Sequence, residues 1–189
     1  MNNPKDVRNG WLLTLRGVFY ILMGGAMFLF ANSFTHGLGR IIGIATLLAG
    51  VTGLSYAVIN RQADPNNFWG ICQGLADSVF GVVFIFTASQ GFKNYVDMLG
   101  FWAIIFAFIQ AVQAMYVALM VGGSSLTTKA VHFLSVAVSG YMAFNIMLRP
   151  IGLVDSLGIT GFFPIALGIF VIVLQQLTQR AREVGSVAR

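Results

Sequence analysis

Apolar residues fill this chain in six blocks, near residues 11–31, 38–59, 69–88, 98–121, 130–148 and 156–178. Each block is close to the roughly twenty residues a helix needs to cross a bilayer. The polar pieces between them, such as NRQADPNNF and SQGFKNYVD, are too short to build a separate soluble domain. The pattern predicts an all-α integral membrane protein with six transmembrane helices, forming a single polytopic domain over residues 1–189.

The blocks repeat in pairs. Moving the first pair forward by about fifty-seven residues sets Arg16-Gly17 on Gln73-Gly74 and Gly24 on Gly81. About twice that shift brings the same columns to His132 and Gly140. In the second block of each pair, Gly43, Ala103 and Gly161 share one column, and Gly50, Gln110 and Gly168 share another. Gly17/Gly24, Gly74/Gly81, Gly43/Gly50 and Gly161/Gly168 each recur almost two helical turns apart, so each pair lies on one helix face. Small residues on one face let helices approach closely in lipid. The expected architecture is three pseudo-repeated hairpins at about 11–59, 69–121 and 130–178, with a basic tail at 179–189. Asp64-Pro65-Asn66-Asn67 and Gly122-Gly123-Ser124-Ser125 separate the hairpins; Asn32-Ser33, Gln90-Gly91 and Arg149-Pro150 turn within them.

Composition agrees: hydrophobic residues make up 57%, charged residues 9%, and the mean hydropathy is +0.81. Soluble domains carry about a quarter charged residues. Lys5 and Arg8 before an apolar run resemble a signal peptide, but the length of that run and its columns shared with the third run argue that it is retained. Lys5, Arg8, Arg16, Arg61, Lys129, Arg180, Arg182 and Arg189 fall on one side, and Arg40, Lys93 and Arg149 on the other. The positive-inside rule then puts both termini in the cytoplasm. The same distribution accounts for the basic pI, and no basic stripe interleaved with stacking aromatics points to nucleic acid. The basic tail suits anionic headgroups. Trp11, Trp69, Tyr20 or Tyr56 and, at the opposite boundary, Trp102 read as an interfacial aromatic belt.

Intramembrane polar residues are the candidate sites. Asp77 lies about 12 Å inside the level of Trp69, at 1.5 Å per residue, and a charge in hydrocarbon needs a partner or a wet cavity. Arg16 shares a level with Gln73, one turn from Asp77. One reading is an Arg16–Asp77 pair, with Gln73 sharing its hydrogen bonds, that fixes helix packing; the other is a proton or ion site at Asp77. Arg16, Gln73 and His132 form a ring if the hairpins surround a shared axis, and His132 could change charge near pH 6. Gln110, Gln113 and Asn145 can bridge helices, while Gln175 and Gln176 lie near the end of the last block. The lone Cys72 reads as a small hydrophobe, and His36 has no second ligand at metal spacing. Neither a metal nor any other cofactor is expected. GRIIG at 39–43 and GICQG at 70–74 match the small-xxx-small contact. No HExxH, GxSxG or phosphate loop is present.

The opening Trp11-x4-Arg16-Gly17-x6-Gly24, the glycine-rich GIATLLAGVTGLSYAV at 43–58, Arg61, and the aromatic start Phe68-Trp69 resemble the HdeD-like family of small bacterial inner-membrane proteins. The resemblance covers roughly residues 8–180, with Ala31-Asn32-Ser33-Phe34 standing where such families often carry a proline. It implies an acid-stress or envelope-related membrane protein and supplies no catalytic residues. The expectation is a non-enzymatic protein whose partners are the bilayer and a second copy or a larger membrane-protein complex. The rivals are a small proton or solute transporter using Asp77, with Arg16 and His132 as gate or relay, and an accessory subunit.

Overall fold

The computed structural model describes residues 9–30, 33–63, 67–119, 126–148 and 157–187. These form six α-helices: α1 (Trp11–Leu29), α2 (His36–Ile59), α3 (Asn67–Thr87), α4 (Phe92–Leu119), α5 (Leu126–Leu148) and α6 (Leu157–Val187), with no strand among the described residues. Of the expected turns, Asn32, Asp64-Pro65-Asn66, Gly122–Ser125 and Arg149-Pro150 lie outside the described residues. So do Lys5, Arg8 and Arg189, and the side chains of Asn145, Arg180 and Arg182.

Local chemistry sets the helix starts. Thr35 is extended, and its hydroxyl accepts from the Leu38 amide at 3.1 Å, capping α2. Gly91 has φ +102, a conformation that a side chain disfavours, and releases the chain into α4 at Phe92. This start precedes the expected one at 98, and α6 continues helical through the region expected as a tail. Pro164 lies inside α6.

Among the described residues four helices are long and apolar enough to cross a membrane: α1, α2, α3 and α4 over Phe92–Tyr116. Among the described residues α6 offers a shorter apolar stretch, Gly161–Leu177. Each helix packs against its neighbours in chain order, and α6 returns to pack against α1. The outward faces carry large apolar side chains, including Leu22, Phe28, Phe86, Phe108, Phe133 and Phe144, all exposed. So large an apolar surface suits a bilayer environment.

Glycines decide the closest crossings. A methyl on Gly17 would meet the Gly168 carbonyl oxygen, and one on Gly24 that of Gly161, so α1 and α6 touch backbone to backbone. Gly43 and Gly81 stand in the same relation across α2 and α3, as do Gly50 and Gly74. Gly140 differs: it is exposed, with nothing within 4 Å of the place a methyl would take. Its neighbour Ser139 is fully buried instead. Among the described side chains of α5 the buried positions are His132, Ser135 and Ser139, which match Gly17, Tyr20 and Gly24 on α1 and Gly74, Asp77 and Gly81 on α3. His132 thus takes the place of Gly17 and not of Arg16. One residue of slip turns a helix by about 100°, which carries Gly140 to the outer face.

The centre is aromatic. Tyr20, Phe84, Tyr95, Trp102, Phe106 and Phe163 are buried together with Met23 and Met27. Trp102 meets Phe163 edge to face with centroids 5.2 Å apart, and Tyr20 meets Phe106 in the same way at 6.2 Å.

Candidate functional site

One polar cluster lies within this aromatic centre. Asp77 sits at the middle of α3 and is 0% exposed. One carboxylate oxygen accepts from Arg16 Nη2 of α1 at 2.7 Å and also from the Tyr20 hydroxyl. The other oxygen accepts from the Trp102 indole nitrogen of α4 at 3.1 Å. Three donors from two helices therefore converge on one carboxylate, and Arg16 balances its charge.

Helical spacing arranges the donors. Tyr20 follows Arg16 by one turn, so both project from one face of α1, and Arg16 Nη2 also donates to the Tyr20 oxygen at 2.9 Å. The guanidinium carbon lies 5.4 Å from the Tyr20 ring centre, within cation–π reach. Gln73 precedes Asp77 by one turn on α3, and its carbonyl accepts from Arg16 Nη1 at 3.3 Å. Its amide nitrogen donates to the Gln113 oxygen of α4 at 2.7 Å. The far side of the guanidinium rests on α2: a methyl on Gly53 would come within 3.2 Å of Arg16 Cδ, Nε and Cζ. Four helices thus close around one ion pair.

Sequence reasoning placed Arg16, Gln73 and Asp77 near one another, and the structure brings them into one network. His132 does not join it. This side chain is 4% exposed on α5, and its Nδ1 has no hydrogen-bond partner among the described residues. The expected three-member ring therefore reduces to the Arg16–Gln73 contact.

Two aromatic assignments need correction. Tyr20 and Trp102 are not interfacial anchors; both are 0% exposed and bond to Asp77. Tyr56 is likewise buried. For Trp102 the reason is the early start of α4, which sets the residue nearly three turns inside the helix. The available signal for Tyr20 was its one-turn spacing from Arg16. Gln113, expected to bridge helices, does so through Gln73; Gly53 was missed as a member of the site, and it follows the column glycine Gly50 by three residues, on the same face.

The remaining polar residues serve local joints. Thr14 donates to Gln175 at 2.5 Å, tying α1 to α6, and His36 Nδ1 lies 2.6 Å from the Ala88 carbonyl oxygen. Among the described residues no three His, Cys, Asp or Glu side chains converge as metal ligands would.

Residues 15–86 match a family described as "Short repeat of unknown function (DUF308)". The matched stretch carries Arg16, Tyr20, Gly53, Gln73 and Asp77. No curated protein and no solved structure matches the chain.

Proposed function

We propose that this chain is a non-enzymatic, multi-pass inner-membrane protein that works through helix packing within the bilayer, with the Asp77 cluster as its central clamp. The observation that carries this reading is the saturation of Asp77. Its two oxygens hold three donors, its charge is matched by Arg16, and aromatic side chains enclose the group. A proton carrier needs a carboxylate that can exchange partners and reach water; this one is committed on both oxygens.

The proposed arrangement is six spans in three hairpin repeats, with both termini in the cytoplasm. The glycine crossings support the repeats, since Gly17/Gly168 and Gly24/Gly161 correspond to Gly74/Gly50 and Gly81/Gly43. The match to a family described as a short repeat points the same way. The setting we propose, on the resemblance to HdeD-like proteins, is envelope or acid-stress tolerance, carried out by self-association or as part of a larger membrane complex. An acid-survival assay of cells lacking the protein tests that setting.

The rival is proton or solute transport through Asp77. In proteoliposomes with an imposed pH gradient, the clamp reading expects the wild type to dissipate the gradient no faster than empty vesicles. A flux present in the wild type and lost in a folded Asp77→Asn variant would replace it with transport.

A further inference from the structure

Serine and threonine hydroxyls along α2 and α3 share a habit that Ser139 of α5 breaks. Thr46, Thr52, Ser78 and Thr87 each return a hydrogen bond to the carbonyl one turn earlier in their own helix. That bond satisfies a hydroxyl in hydrocarbon without help from outside. Ser139 is 0% exposed and makes no such bond; its Oγ has no partner among the described residues. On the same face of α5, His132 Nδ1 is also buried and unpartnered, and Ser135 lies between them at 1% exposure. Gln110 and Gln113 are buried on α4, which packs against α5.

Two unpaired polar atoms on one buried face are costly, because each forfeits the hydrogen bonds it makes in water. Helical rise sets His132 and Ser139 about 10 Å apart, so neither can satisfy the other. Water can. A molecule of internal water makes two to four hydrogen bonds to groups of this kind, and roughly three molecules at ordinary hydrogen-bond spacing span the distance.

We infer that the buried face of α5 is a water-binding seam, entered at the His132 end of the helix and ending at Ser139. The seam follows α5 where it packs between α4 and α6, and it does not depend on the clamp reading. Its ligand is water.

Cysteine chemistry tests this directly, because a thiol reacts with a methanethiosulfonate only as thiolate, and the thiolate forms only where water reaches it. In a Cys72→Ala background, Ser135→Cys and Ser139→Cys are near-isosteric replacements on the buried face. Ala137→Cys sits on the exposed face of the same helix, in lipid. Each variant in lipid nanodiscs, after elution like the wild type on size exclusion, is treated with a small charged methanethiosulfonate. The expected result is modification of Ser135→Cys and Ser139→Cys at least roughly tenfold faster than Ala137→Cys, as thiolate access dictates. Ser139→Cys reacting no faster than Ala137→Cys, while all three react fully after denaturation, would show a dry seam and overturn the inference.

Discussion

Removing the Asp77 carboxylate should damage this protein more than removing both members of its ion pair. In Asp77→Ala, the Arg16 guanidinium stays buried beside Tyr20 and Gln73 without its counter-charge, and the Tyr20 hydroxyl and Trp102 indole lose their acceptor. An uncompensated buried charge costs about 3–5 kcal/mol, and each orphaned donor about 1–3 kcal/mol. These overlap, because Tyr20 keeps its contact with Arg16, so a total near 5 kcal/mol is expected from those two costs. Arg16→Ala should cost about 3–4 kcal/mol, since Tyr20 and Trp102 still solvate the remaining carboxylate. With both residues replaced no isolated charge remains, and the double variant should be no less stable than Asp77→Ala, giving a coupling of about 3 kcal/mol. Thermal unfolding in a mild detergent reads this out, with Asp77→Ala melting about 10 °C or more below the wild type. If the two losses simply add, Arg16 and Asp77 do not act as a pair, and the clamp argument fails.

Smaller perturbations test the parts separately. Trp102→Phe keeps the ring packing but removes the donor to Asp77, and should lower stability by about 1 kcal/mol, read by the same melt. Gly24→Ala places a methyl against the Gly161 carbonyl oxygen and should cost about 2 kcal/mol as overpacking. Gly140→Ala meets open space within a helix and should gain about 0.5–1 kcal/mol; a loss there would put Gly140 back at a crossing. Gly53→Ala presses on Arg16 and should weaken the Arg16–Asp77 coupling in a repeat of the double-mutant cycle, leaving the α1–α6 contact intact.

The sequence was most legible where lipid punishes alternatives. Charges are so rare in hydrocarbon that Arg16 and Asp77 announced a shared site, and glycines at recurrent spacing announced the crossings at Gly17, Gly24, Gly43, Gly50, Gly74, Gly81, Gly161 and Gly168. Aromatics carried no such constraint. Tyr and Trp are at home both at an interface and in a core, so depth alone separates the roles, and depth depended on where α4 begins. Gly91 set that start six residues before the apolar block suggested. The expected third repeat misled for a different reason: Gly140 is exposed, and the buried position beside it is Ser139. A repeat alignment compares letters, whereas packing compares angles around a helix axis.

The closure of α6 on α1 bears on how the molecule is made. Ribosomes deliver α1 first, with Gly17 and Gly24 facing nothing and Arg16 without the carboxylate that lies 61 residues further along the chain. At about 5–20 residues per second, several seconds pass before Asp77 emerges, and longer before Gly161 and Gly168 do. During that interval an arginine must be sheltered in the insertion machinery or drawn toward the headgroups, and a glycine face is open to other helices. Biogenesis is therefore the stage at which this protein is most exposed to proteolysis and to mispairing.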